Sequence, residues 1–207
     1  MAEQTIRFED GAAYEQTMGI WSWLVGEVFL RWLALPSGLR WIDVGCGNGA
    51  FTELLVEQCS PQLAFARTRP SVHLASFIKG DAMALRICLG GGFPLDPIVH
   101  EMRGMGLSPP RAPRLEASRM QALQDLWRDA GLKEVEIREI IVYRTFENFD
   151  DFWMAKLNPQ FAPIIAAMRA AEVETLKDRV RARLPADAEG RITYDARAHA
   201  IKGKAPE

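Results

Sequence analysis

Cysteine is scarce in this chain, and its scarcity narrows the chemistry first. Only three occur in 207 residues, Cys46, Cys59 and Cys88. They stand at no metal-ligand spacing, so no metal site is expected, and an odd number argues against a disulfide framework. A reducing compartment, the cytoplasm, fits that usage. An excess of positive charge is missing as well: 25 Lys and Arg face 27 Asp and Glu, a formal net charge of −2. The broad basic surface that nucleic-acid binding needs is therefore not expected. Long apolar runs are absent too. The most apolar stretch, "IWSWLVGEVFLRWLAL", is broken by Glu27 and Arg31 and reads as a helix of a soluble protein, with no membrane partner. The first ten residues, "MAEQTIRFED", are polar and acidic, unlike a secretory leader. No internal repeat or low-complexity tract occurs.

What is present suits a single domain over 1–207 with a substantial core, since 48% of the residues are hydrophobic. Apolar side chains at helical spacing (Met18, Trp21, Val25, Val28, Phe29 and Trp32) predict a helix over 14–34, part of an N-terminal helical cap over 1–38. "LPSG" breaks it, "LRWIDVG" reads as a buried strand, and "NGAFTELLVEQC" as a helix with Phe51, Leu54 and Leu55 on one face. This is the opening half of a βαβ unit. "SVHLASFIKGDA" reads as a further strand. A short helix is expected around 96–104, and another over "SRMQALQDLWRDAG", with Met120, Leu123, Leu126 and Trp127 inward and Gly131 as its stop. "LKEVEIREIIVYRTF" predicts a long strand and "GRITYDARAHAIKGK" a last one. Between them, 148–184 is expected to be helical, with Val173, Leu176, Val180 and Leu184 as a buried stripe and its many charges as a solvated face.

The stretch "IDVGCGNGAF" carries the chemistry. A helix N-terminus leaves backbone N–H groups unpaired and holds partial positive charge. Glycine lets the turn before it bend tightly and lets a ligand lie on bare main chain. Gly45, Gly47 and Gly49 thus point to a bound cofactor. Gly45-x-Gly47-x-x-Ala50 also satisfies the loose dinucleotide fingerprint, so an NAD or FAD oxidoreductase is the competing reading. Asp43 discriminates between them: a carboxylate two residues before the first glycine repels a pyrophosphate but welcomes an ammonium or sulfonium.

With that acid in place, "IDVGCGNGAFTELL" resembles motif I of the class I S-adenosylmethionine-dependent methyltransferases, in the form D-x-G-x-G-x-G. "YEQTMGIWS", "KGDAMAL" and "ITYDARAHAIKGK" are similar to the small-molecule type 11 branch of that family. The resemblance implies an α/β fold, a Rossmann-like doubly wound sheet with a helical insertion over 148–184 as lid before the last strand. It implies S-adenosylmethionine as cofactor and a small apolar or aromatic molecule as methyl acceptor. Asp43 and Gly45 would lie beside the amino-acid end of the cofactor, with Cys46, Gly47 and Gly49 shaping the turn beneath it. Asp81 would bond the adenine amino group, Ala82 would sit near the ring, and Tyr14 and Met18 would help cover the site. Ile20 stands where relatives often carry arginine.

Two parts of the family pattern are absent. "EQCSPQLAFARTRP" passes from the first helix almost directly into the next, without the second strand and its ribose-binding acid. "ALRICLGGGFP" passes over a fourth strand, a helix and a fifth strand. Crossovers between parallel strands need about a dozen residues or more, so neither join can hide them. The expectation is a chain interrupted at both joins, with Cα separations far beyond about 3.8 Å within 59–63 and 83–92. Were the shortening genuine, a non-catalytic, methyltransferase-like binding protein would be the alternative.

Methyl transfer from a sulfonium demands no particular protein side chain, and none is assigned as catalytic. His100 is the best-placed candidate base, although a surface histidine explains it more simply. His73 and His199 read as structural. Trp21, Tyr143, Phe152 and Trp153 are candidates for lining an apolar pocket, but aromatics at such spacings more often belong to plain core.

Overall fold

The computed structural model describes residues 18–36, 50–59, 94–109, 119–156 and 161–204. In chain order these form α1 (Ile20–Leu33), α2 (Ala50–Cys59), α3 (Asp96–Gly104), α4 (Met120–Asp129), β1 (Lys133–Phe146), α5 (Phe149–Lys156), α6 (Ala162–Ala166), α7 (Ala170–Arg183) and β2 (Ile192–Lys204). The protein is therefore a mixture of helix and strand. The described residues contain one two-stranded antiparallel sheet, β1 against β2. The expected strands over "LRWIDVG" and "SVHLASFIKGDA" lie outside the described residues, as do 60–63 and 83–92 at the two joins.

The sheet follows from period-two patterning on both strands. On β2, Ala196, Ala198 and Ala200 alternate inward and are buried. Across the ladder Val142 opposes Ala196 and Ile140 opposes Ala198. Bulky residues on one strand thus meet small ones on the other, so helices can approach this face closely. The facing layer comes from α1, α3, α5 and α7, whose Trp21, Ile98, Met102, Phe152, Leu176 and Val180 join one buried cluster with Ile140, Phe146 and Ile192.

Burial on β1 changes parity along its length. Ile140, Val142 and Phe146 are buried at even positions, whereas nearer its start the half-buried residues are Val135 and Ile137. The cause is α4, which covers the opposite face there: a Cβ on Gly203 would meet the Trp127 ring at 3.3 Å and Val135 at 3.4 Å. Helix α4 buries Leu123 but leaves Leu126 49% exposed, so the inward face expected for Leu126 is corrected. Gly131 ends α4 as expected: its φ of +80° is cheap only for glycine, and Leu132 N–H bonds back to Trp127 C=O at 3.1 Å.

The three helices described between β1 and β2 fall within 148–184, the stretch predicted to be helical, of which 157–160 lie outside the described residues. Asn148 Oδ1 accepts the Asp151 N–H at 2.9 Å and starts α5. Helix α7 turns Leu176, Val180 and, just past its end, Leu184 inward, with Val173 half-buried. Its outer face carries i,i+3 pairs: Glu174 with Lys177 at 2.8 Å and Asp178 with Arg181 at 2.9 Å. Arg183 donates to the mostly buried Glu101 of α3, tying those two helices together. Helix α2 rests on α1 through Phe51 and Leu54. A Cβ at Gly26 would stand 2.6 Å from Leu54 Cδ2, so the crossing is closed to larger residues.

Candidate functional site: a buried lysine among aromatic rings

Of the residues that the sequence assigns to a cofactor, Tyr14, Asp43, Gly45, Cys46, Gly47, Gly49, Asp81 and Ala82 lie outside the described residues. Met18, the remaining assigned residue, and the helix that follows the glycines are described. Met18 is buried, three residues before Trp21. Helix α2 begins at Ala50, directly after Gly49, with Glu53 in its first turn. Phe51, half-buried, stacks at a tilt on Phe29 at 6.1 Å, so the start of α2 is anchored to α1.

The candidate pocket aromatics separate. Trp21, Phe152 and Trp153 are buried core residues. Tyr143 is 64% exposed on the outer face of β1, which removes it as a lining residue: its odd position puts it opposite the buried Val142 face. His100 points to solvent, with 64% of its side chain exposed and Glu101 Oε1 at 4.0 Å, in keeping with an ordinary surface histidine. His199 on β2 is largely buried and stands 3.9 Å from Glu139 Oε2.

A different group of residues converges in the core. Helix α5 places Phe149, Phe152, Trp153 and Lys156 at i, i+3, i+4 and i+7, the spacing of one buried stripe. The last member of that stripe is a lysine, and its side chain is fully buried. Lys156 Nζ lies 4.8 Å from the centroid of the Trp21 ring and 5.4 Å from those of Phe146 and Phe152. It has no hydrogen-bond partner. Ring faces attract an ammonium, by about 2 kcal/mol when desolvated, but they do not replace three lost hydrogen bonds to water. Burial therefore pushes the Lys156 amine down to about 7, with the nearby Arg144 guanidinium adding to the shift.

Arg144 reaches the same ring system from β1, its Cζ 4.5 Å from the Phe146 centroid. Burial lowers its pKa too, and its Nη1 is buried without a partner. The remaining member is Trp21 Nε1, also buried and unpaired. Among the described residues these three atoms are the buried side-chain nitrogens and oxygens without a partner, and all three are donors. Such groups are costly to bury and are usually satisfied, so each of the three is a donor that lacks the acceptor it would normally have. Near neutrality Lys156 is divided between amine and ammonium, which lets it serve as a base or as an anion receptor.

Sequence reasoning passed over Lys156. The signal was present: a cation at position i+7 of an otherwise aromatic stripe in "FDDFWMAK". Among the described residues no three His, Cys, Asp or Glu side chains gather as a metal site, and no helix is long and apolar enough to cross a membrane. No protein-family model matches this chain, and no curated protein matches it.

Proposed function

We propose that this chain is an S-adenosylmethionine-dependent methyltransferase acting on a small-molecule acceptor, built on a Rossmann-like doubly wound sheet. One observation carries the reading: the motif D-x-G-x-G-x-G over 43–49 runs directly into a helix that starts at Ala50. That is the place where unpaired N–H groups and bare glycine backbone are needed to receive a cofactor. Asp43 gives the turn its preference, offering a carboxylate to an ammonium or sulfonium and opposing a diphosphate. When bound, the cofactor supplies the electrophilic methyl group. Gly45, Cys46, Gly47 and Gly49 shape the floor, Asp81 and Ala82 receive the adenine, and Tyr14 and Met18 close the side. The helices between β1 and β2 act as the lid that excludes water.

Calorimetry with S-adenosylhomocysteine and NAD, run side by side, tests the proposal. Binding of S-adenosylhomocysteine supports it, and Asp43→Ala is expected to weaken that binding at least tenfold while the far-ultraviolet spectrum is unchanged. Binding of NAD alone makes the chain an oxidoreductase instead. Binding of S-adenosylhomocysteine without turnover on any acceptor favours the non-catalytic reading, which the absent ribose-binding acid would explain.

A further inference from the structure

We propose that Trp21, Arg144 and Lys156 form a receptor for a compact carboxylate, a site independent of the methyl-transfer reading. The argument rests on the type and number of the unpaired groups. Each of the three buried atoms without a partner is an N–H donor, and two belong to side chains that are cationic when protonated. No orphan acceptor stands among them, so the groups cannot satisfy one another by a change of rotamer. A neutral ligand offering one acceptor leaves the two cations uncompensated; a metal ion would be repelled. A carboxylate offers two oxygens and about four lone-pair sites, and matches a guanidinium edge in particular.

The surroundings set the size and the approach. Trp21, Phe152 and Lys156 are fully buried, so a ligand that reaches them must be small. Arg144 is half-buried and straddles the boundary between core and solvent, which gives the route of entry. The rings of Trp21, Phe146 and Phe152 stand around the fully buried Lys156 amine, and a charge-assisted bond gains strength in such a place. The bland alternative is a lysine held by ring faces alone, with no ligand at all.

Thermal unfolding of the whole chain in acetate, acetamide and chloride, at equal concentration and constant ionic strength, separates these readings. Acetate is expected to raise the midpoint by at least about 2 °C over the other two at saturation. Lys156→Met should abolish that increment and Arg144→Gln should reduce it. A second readout needs no variant at the cations: the indole N–H resonance of Trp21, identified by its loss in Trp21→Phe, should shift with acetate and not with acetamide. Equal midpoints in acetate and acetamide, with an unmoved Trp21 resonance, would overturn the proposal. So would an acetate increment that survives in Lys156→Met, or one that chloride reproduces in full.

Discussion

On α7 the cations stand in water beside carboxylates, whereas on α5 the single lysine lies in the core beside rings. Lys177 and Arg181 pair with Glu174 and Asp178 at i,i+3, and each also lies over an aromatic ring of α5, Lys177 at 6.0 Å from Trp153 and Arg181 at 4.3 Å from Phe149. Lys156 has ring neighbours of the same kind but is fully buried and has no hydrogen-bond partner. Solvent is the difference between the two helices. The partly exposed Lys177 keeps contact with solvent and with the Glu174 carboxylate while it lies over its ring. A buried lysine must trade hydration for quadrupole attraction, and the exchange is unfavourable. The two helices show that aromatic contact alone does not make a buried cation comfortable.

The contrast yields its largest expected effect in Lys156→Met. Removing an unpaired buried ammonium while keeping an unbranched side chain should stabilise the fold by about 2–4 kcal/mol at pH 6 in chemical denaturation. The gain should shrink as pH rises, because the amine is then neutral in the folded wild type. Unchanged or lower stability in the variant at pH 6 would mean that Lys156 has a partner in solution.

The pH profile of the wild type sharpens the same point. Lys156 gains its proton near pH 7 when folded and near its ordinary 10.5 when unfolded. Between those values the unfolded chain binds more protons, so stability should climb with pH, by at most about 1.4 kcal/mol per unit. Above pH 10 Tyr194 acts in the opposite sense. Burial, with Asp96 and Asp195 nearby, raises its phenol from 10 to about 12, so the unfolded chain loses that proton first and stability falls. A stability maximum near pH 10 in the wild type, displaced to lower pH in Lys156→Met, is the expected outcome.

A change elsewhere on α1 serves as control. Gly26→Ala should destabilise by about 1–2 kcal/mol, the clash with Leu54 and Phe51 outweighing the better helix propensity of alanine. Its pH slope should match that of the wild type, since Gly26 meets α2 and not the rings around Lys156. The smallest effect belongs to Glu174→Ala on α7, about 0.2–0.5 kcal/mol and without any slope between pH 7 and 10. A larger loss there would show that the exposed pairs of α7 carry more of the stability than their exposure implies.

Much of the described architecture is legible in the sequence. The stripe of α7, the alternation of β2 and the stop at Gly131 each follow from local periodicity or backbone chemistry, and each appears in the fold. The helix expected over "NGAFTELLVEQC" appears as α2, while the strand and turn expected before it lie outside the described residues. Errors came where one face had to be chosen among neighbours. Leu126 continues a helical stripe, and Tyr143 sits in the densest apolar run of β1, yet both are exposed. Hydrophobicity marks a residue as suited to burial but does not supply the surface that covers it. The expected cofactor residues, Met18 apart, lie outside the described residues, so the candidate site there still rests on its motif.

The sequence alone determined the period of each described element and the order in which they occur, because helix and strand propensity act over a few neighbouring residues. It also displayed a cation on an aromatic stripe, but not the fate of that cation. Lys156 would be an ordinary end-of-helix lysine if α5 ended in water. Only the packing of Trp21 from α1 and Phe146 from β1 around it, residues more than a hundred apart in sequence in the first case, strips its hydration and leaves three donors without an acceptor. Desolvation is a property of the assembled environment, and no local pattern encodes it.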